Sequence, residues 1–286
     1  MLIRRATNND ITAIWGIWMQ DHVIKYMSFE KMSLSDFQSL FQHFMETSHV
    51  YVVTNSTADG KGTVIAVFRL MFGENNRTHV VEVCSLGLHK DYLNKRYGYK
   101  IHVQVIDLIK QIPHIKRIEL TQSEGNKVAF KLIEKFGFEV DAVFPGWLHE
   151  KLYERYVALI LDKDILDNIA NADLDFETCN KIHVYSRHPI PIKYTLIPSS
   201  IVLKHIAFLT ITLDRSIDLN HAADFMQDLA KQLVQQGFKK IEIFTHEPRI
   251  VKLLEMLGYH YRGKKIASLK IGDQYYNEIG VDLAIK

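Results

Sequence analysis

The chain has little cysteine, little net charge and no long apolar run. Cys84 and Cys179 are the only two cysteines in 286 residues. They are too few and too far apart for a disulfide framework, which points to a reducing cytoplasm. The 35 Lys and Arg stand against 33 Asp and Glu, a net charge of +2. Such a balance supplies no global field to hold nucleic acid. No run approaches the ~18 apolar residues of a membrane span, so no membrane partner is expected. The opening MLIRRATNND carries charge without a following apolar segment, so a signal peptide is not expected. On that ground Asn55-Ser56-Thr57 and Asn76-Arg77-Thr78 read as chance glycosylation sequons. The 14 histidines are scattered, and none forms a metal-binding spacing such as HExxH.

What remains is globular material. Hydrophobic residues make up 47% and charged residues 24%, which suits a core built without staples. The length suggests about two domains, and a repeat agrees. Lys116-Arg117-Ile118-Glu119-Leu120 recurs as Lys239-Lys240-Ile241-Glu242-Ile243. KLIEKFGF, ending at Phe138, recurs as KLLEMLGY, ending at Tyr259. The period of about 120 residues is that of a domain, not of a solenoid unit. The expected organisation is a first domain over 1–162, an acidic linker over 163–180 and a second domain over 181–286.

Periodicity and turn residues predict the elements. Residues 2–6 read as a strand. Thr7, with Asp10 three positions on, reads as a capping box for a helix bearing Ile11, Ile14, Trp15 and Trp18 on one face. A second helix over 33–47 carries a Phe37, Leu40, Phe41, Phe44 stripe. Strands follow at 50–54, 63–72 and 78–88, the first two joined through Asp59-Gly60-Lys61-Gly62. A basic, aromatic turn over 91–99 feeds a helix to about Lys110. Residues 117–120 form a strand, 125–135 a helix stopped by Gly137, and 138–144 and 152–161 two closing strands. The second half repeats this order from residue 50 onward. After the proline-marked stretch His188-Pro189-Ile190-Pro191 come strand 206–213, helix 219–236, strand 241–244, helix 249–257 stopped by Gly258, and two final strands. It has no counterpart of the opening strand and two helices. The fold class is α+β with a mixed sheet, its second copy truncated.

The chemistry gathers between Val80 and Lys100. A strand there feeds a basic turn and then a helix, whose N-terminus offers unpaired N–H groups and about half a positive charge. That is a ready phosphate site. Gly98 would let the backbone approach a ligand closely, and Lys95, Arg96 and Lys100 add cations. A solvated basic loop capping a helix is the plainer reading. Glu82 is an acid inside the apolar strand VVEVCSLGLH. Alternation puts it on one face with Cys84, Leu86 and Leu88. Burial would raise its pKa toward the range of a general base; a solvent-facing or ion-paired glutamate is the alternative.

The opening IRRATNNDITAI, the segment HKDYLNKRYGYKIHVQVIDLIK, and Asn126 through Ala129 to Phe136-Gly137-Phe138 together resemble the GNAT superfamily of N-acetyltransferases. The resemblance covers residues 1 to about 162, and more weakly 180–286 through the repeat. It implies a GNAT fold in tandem, with acetyl-CoA as the cofactor. The family's Gln/Arg-x-x-Gly-x-Gly/Ala loop, whose N–H groups hold the CoA pyrophosphate, falls on Leu93, Asn94, Lys95, Arg96, Tyr97 and Gly98, with Tyr99 and Lys100 next. The last glycine stands, but Arg96 replaces the first glycine and Leu93 the first polar residue. Arg96 either obstructs the pyrophosphate or binds a CoA phosphate.

The resemblance also implies that the strand before this loop splays from its neighbour, with the thioester in the gap. Backbone groups at Leu86, Gly87 and Leu88 would then polarise the acetyl carbonyl. Gly87 suits an irregular strand end, or merely ends the strand. Glu82 would deprotonate the attacking amine directly or through water. The family's general-acid tyrosine falls on Ile133. Tyr153 is therefore carried as the candidate beside Tyr97, Tyr99 and Tyr156, with water as a further donor. Asn126 would contact CoA, with Ala129 and Phe130 lining it; Asn126 also suits an N-cap. Met27-Ser28-Phe29-Glu30-Lys31 falls at the family's acceptor-binding loop.

In the second half, the turn DRSIDLNHAADF has neither glycine nor paired cations. Asp218 at the helix start and Glu247 in place of Asn126 would repel a pyrophosphate, and Pro248 opens the next helix. The expectation is a degenerate, non-catalytic copy that packs on the first domain, walls the acceptor site or docks a protein partner. The whole chain reads as an N-acetyltransferase acting on an unidentified amine acceptor. A catalytically inactive interaction module and a longer acyl donor are the competing readings.

Overall fold

The computed structural model describes residues 1–55, 62–145, 154–167, 193–197, 206–212, 218–271 and 273–284. The chain divides into two compact units, Met1–Val140 with Glu154–Lys163, and Asp141–Tyr153 with Asp164–Lys286.

The first unit starts with β1 (Leu2–Arg5), then α1 (Ile11–Trp18), α2 (Asp21–Ile24) and α3 (Leu34–Thr47). β2 (His49–Thr54), β3 (Val64–Phe72) and β4 (Val80–Leu88) follow, then α4 (Tyr97–Lys110), β5 (Arg117–Ser123) and α5 (Lys127–Glu134). β6 (Glu139–Phe144) crosses from the first unit into the second, and β7 (Glu154–Ile160) completes the first. Its strands lie in the order β1-β2-β3-β4-β5-β7. Every neighbouring pair is antiparallel except β4 and β5, which run parallel. Parallel neighbours need a crossover, and α4 supplies it.

Strand alternation sends side chains to two separate cores. Val81 and Val83 on β4 and Ala66, Phe68 and Leu70 on β3 pack with Ile101, Val105 and Ile109 of α4 and Ile133 of α5. Val50, Val52 and Val67 pack on the opposite face with Ile14, Trp18, Phe37, Phe41 and Phe44. Trp18 is fully buried and meets Phe29, Phe37 and Phe44 edge-on at 5.6–5.8 Å. Ser33 caps α3 by accepting from Asp36 N at 3.2 Å. The expected Thr7/Asp10 capping box forms at the first helix. Asp10 accepts from Thr7 N at 2.8 Å and from the Thr7 hydroxyl at 3.0 Å. Arg4 holds that carboxylate with two bonds of 2.7 and 2.8 Å.

The second unit adds α6 (Asp164–Asp167), β8 (Lys193–Ile197), β9 (Ile206–Thr212), α7 (Leu219–Gln235), β10 (Lys240–Thr245), α8 (Pro248–Met256), β11 (His260–Ile271) and β12 (Gln274–Ala284). Its strands lie in the order β6-β11-β12-β10-β9-β8. β8 pairs antiparallel with β9, β9 parallel with β10, and β10 antiparallel with β12. That is the path of β3, β4, β5 and β7, sense for sense. The matching helices α5 and α8 end alike: Gly137 has φ +85° and Gly258 φ +90°. The repeated charges also match, since Arg117 pairs with Glu119 at 2.9 Å and Lys240 with Glu242 at 2.5 Å.

The expected turn at Asp59–Lys61, the linker beyond Asp167, the proline-marked stretch before β8 and Tyr153 all lie outside the described residues. Among the described residues, no helix is long and apolar enough to cross a membrane.

Candidate functional site

β4 and β5 begin as partners and then part. They pair at Val80↔Arg117, Val81↔Ile118 and Glu82↔Glu119, and no further. Both strands continue, β4 against β3 as far as Leu88 and β5 against β7 as far as Ser123. A gap in the sheet therefore opens just beyond Glu82. A bulge in β4 lies just beyond it. Val67 pairs with Gly87 and Arg69 with Cys84, so Ser85 and Leu86 together oppose Phe68. Ser85 sits at φ +53°. An extra residue of this kind bends its strand and sharpens the local twist.

The bulge overturns one expectation about β4. Glu82 and Cys84 do not share a face with Leu86 and Leu88. The inserted residue shifts the phase, so Leu86 and Leu88 pack with Val81 and Val83 toward α4 and α5. Glu82, Cys84 and Gly87 face α1–α3. Gly87 is also not the irregular point of the strand. It is paired, and a Cβ there would lie 3.0 Å from Val23, 3.1 Å from Trp18 and 3.2 Å from Ile17. A side chain there would need these α1 and α2 side chains to give by a few tenths of an ångström.

Glu82 stands at the apex of the gap, half-buried. Its Oε1 accepts from the Thr121 hydroxyl at 3.1 Å. Tyr156 pairs with Thr121 across β5 and β7, so among the candidate tyrosines it lies on Glu82's side of the sheet. Cys84 follows on the same face as a free thiol. Burial, then the Glu82 charge, push its pKa well up. Arg69 pairs with Cys84 on β3 and is 8% exposed. Its guanidinium lies 3.8 Å from the centre of the Phe44 ring. It donates to Ser85 Oγ through Nε at 3.3 Å and Nη2 at 3.2 Å. Arg69 carries the same signal as Glu82, a charge inside an apolar strand, and was legible on that ground. The Ser85 bulge had no such signal.

On the other side of the sheet, α4 starts three residues earlier than the sequence suggests, at Tyr97. Its N-cap is Arg96, which makes no side-chain capping bond. The first-turn N–H groups at Tyr97, Gly98 and Tyr99 therefore have no capping side chain. Exposed Asn94, Lys95, Arg96 and Lys100 surround them. The left-handed positions are Asn94 at φ +59° and Arg96 at φ +62°. Gly98 needs no such freedom, since a Cβ there would only touch Leu132 at 3.5 Å. Leu93 is half-buried beside the turn. Tyr97 and Tyr99 line a pocket of about 590 Å³ with Met1, Asn55, Lys100, Val103 and Gln104. Both tyrosines belong to the first turn of α4, which packs on the face of the sheet opposite Glu82.

Asn126 takes the role of N-cap, accepting from Ala129 N at 3.3 Å. Phe130 lies under the Arg155 guanidinium at 4.6 Å. The stretch around α2 ties both lips of the gap. Gln20 accepts from Lys90 N at 2.8 Å, His22 Nε2 bonds Leu88 O at 2.9 Å, and the Tyr26 hydroxyl donates to Gly125 O at 2.9 Å. Nothing in the sequence DHVIKYM singles out these contacts. Met27 and Phe29, expected to meet an acceptor, are buried in the aromatic core instead. Glu30 and Lys31 are exposed.

Among the described residues, the second unit has no counterpart of the gap. β9 and β10 stay in register from Ile206↔Lys240 to Thr210↔Phe244. Asp218 caps α7 by accepting from Asn220 N at 3.0 Å, and Glu247 stands at the N-cap of α8, paired with Arg249 at 2.9 Å. Both helix starts thus carry negative charge, which disfavours an anion there. Among the described residues, no cluster of three His, Cys, Asp or Glu could hold a metal ion.

With this geometry in view, the chain was compared with known proteins. Residues 12–138 match the model of the acetyltransferase (GNAT) family. The matched segment runs from α1 to just past α5 and includes the gap and the basic turn. No curated protein matches. Among solved structures, the chain is similar to a spermidine N-acetyltransferase from Vibrio cholerae in complex with CoA and spermine, at 15% identity over 56% of this chain and 95% of that one, TM-score 0.48. It is similar to an acetyltransferase (GNAT family) from Bacillus anthracis at 18% identity over 56% and 94%, TM-score 0.47. A ribosomal-protein-alanine N-acetyltransferase from Brucella melitensis matches at 16% identity over 56% and 100%, TM-score 0.46.

Proposed function

We propose that the first unit is a cytoplasmic N-acetyltransferase that moves the acetyl group of acetyl-CoA to a primary amine. One observation carries this reading. Within the GNAT-matching segment, β4 and β5 part immediately after an acid, Glu82, close to a helix start with uncapped N–H groups. The α4 N-terminus with Lys95, Arg96 and Lys100 would hold the pyrophosphate. The β4 backbone from Leu86 to Leu88, with Asn126, Ala129 and Phe130 across the gap, would line the rest of the donor.

In the reaction the neutral amine attacks the acetyl carbonyl carbon. The carbon–sulfur bond breaks as the carbon–nitrogen bond forms, and CoA leaves as thiolate. Glu82 takes the ammonium proton, directly or through a water. The Thr121 hydroxyl fixes its carboxylate by one oxygen and leaves the other available. Tyr156, Tyr153 or water returns a proton to the thiolate. The second unit is proposed as a degenerate, truncated and non-catalytic copy. The unbroken β9/β10 pairing and the acidic helix starts support this. Its role is then structural or to dock a protein partner.

The alternative is an inactive interaction module, favoured by Arg96 at a glycine position and by Ile133 at the tyrosine position. Calorimetric titration of acetyl-CoA into the full chain separates the two. Binding is expected, and no heat at millimolar ligand excludes the transferase. Given binding, Glu82→Gln should slow turnover by roughly 100-fold or more, the usual worth of a general base, with acetyl-CoA affinity kept. Unchanged turnover removes Glu82 as the base.

A further inference from the structure

Arg69 is a buried cation whose bonds are incomplete. Ser85 Oγ takes its Nε and one Nη2 hydrogen. The Nη1 end and the second Nη2 hydrogen have no partner among the described residues, and no carboxylate lies within ion-pair distance. Arg69 as a residue is 8% exposed, so little water reaches these donors, and a bound acceptor would replace it favourably. The unsatisfied Nη1/Nη2 edge is a planar fork matched to two oxygens of one group. Phe44 covers one face of the guanidinium at 3.8 Å from its ring centre, so a partner must approach in the plane.

The surroundings say what kind of partner suits it. Arg69 lies opposite Cys84, and Met71 lies opposite Glu82. Arg69 and Glu82 are therefore diagonal neighbours on one face, with backbones about 7 Å apart. One site thus offers a cation and an acid. A second hydroxyl is near: Ser123 alternates with Thr121 on β5, and its Oγ is buried without a partner.

We infer that the acceptor is an amine that also carries a carboxylate, an amino acid or a molecule ending like one, and that Arg69 selects it through the Nη1/Nη2 fork. The inference rests on the transferase reading above. The amine end would lie at Glu82 and the carboxylate at Arg69, so a zwitterion balances both protein charges. A phosphate would set its second charge against Glu82.

The test uses the full chain with saturating acetyl-CoA, reading CoA thiol release for a panel of L-amino acids and their primary amides. Each pair keeps the same amine and differs only in the carboxylate. Wild type should favour at least one acid over its amide by roughly 100-fold in kcat/KM, as expected of a desolvated charge pair. In Arg69→Gln that ratio should collapse to near one, with the acetyl-CoA KM unchanged and the loss mainly in acceptor KM. Arg69→Lys, which keeps the charge, should retain part of the preference and covers a failure of the Gln variant to fold. Equal use of acids and amides by wild type overturns the inference. So does acetyl-CoA binding without turnover of any acid, or a loss in Arg69→Lys that falls equally on both members of a pair. Failure to bind acetyl-CoA at all instead removes the transferase reading and this inference with it.

Discussion

Arg96 holds a backbone conformation at φ +62° that side chains with a Cβ adopt at a cost. A guanidinium at the positive end of α4 does not stabilise the helix by itself; it would gain only from an anion bound there, as the proposed donor site supplies. Arg96→Gly should leave stability unchanged or raise it by up to about 1 kcal/mol, the relief being offset by glycine's freedom in the unfolded chain. Urea unfolding measures this. The same change should weaken acetyl-CoA binding by roughly 10-fold, about the worth of one charged hydrogen bond. Tighter binding would show that the side chain obstructs the phosphate. Arg69 and Glu82 make a different point at the same scale. Both are charges in apolar strands, and the fold brings them to one face.

The element that matters most is β4. It keeps its bonds to β3 throughout and loses those to β5 after Glu82. One inserted residue, Ser85, accompanies the change. Its carbonyl accepts from Trp18 Nε1 at 2.8 Å, so the bulge is fastened to the aromatic core under α1 and α3. α5 is fastened by Asn126. Asn126→Ala should cost about 1 kcal/mol, as lost N-caps do, measured by chemical unfolding. If Asn126 serves only as a cap, acetyl-CoA affinity should be unchanged in that variant. A fall in affinity at constant fold would add ligand contact to its role.

At the scale of the molecule, the two units share a strand path and differ at the gap. The second unit also buries a cluster of charges. Lys240, Glu242 and Asp282 are nearly sealed from solvent, and Arg262 pairs with Asp282 at 2.6 Å. Lys240 donates to Glu242 at 2.5 Å and also to Pro145 O. Glu242 Oε2 has no partner. Burial pushes the Glu242 carboxyl from 4.5 up to about 7, with Lys240 opposing and Asp282 adding to the shift. A raised acid binds a proton in the folded state that the unfolded chain has lost. Its contribution is therefore present at low pH and lost as pH rises from about 5 to about 7. Thermal unfolding across that range should show stability falling with pH, and Glu242→Gln should flatten the fall. An unchanged profile in the variant would assign the dependence to other groups.

The repeated sequence segments, the glycine-stopped helices and the basic turn were readable in the chain, because each shows in short stretches of sequence. A helix stop needs one glycine, and a repeat needs only matching residues. Glu82 and the Arg96 departure were also readable, as residue types out of keeping with their surroundings. The gap was reached through family resemblance alone. No residue near Ser85 announces a bulge, since a bulge depends on how β3 and β4 align, and those strands are apart in sequence. That one shift of register moved Leu86 and Leu88 to the far face and left Glu82 with Cys84 and Arg69. It also turned Gly87 from a loose strand end into a contact under α1 and α2. Composition and spacing specify elements along the chain. Which side chains meet across the sheet follows from long-range pairing, and the acceptor side of this site is built from such pairs.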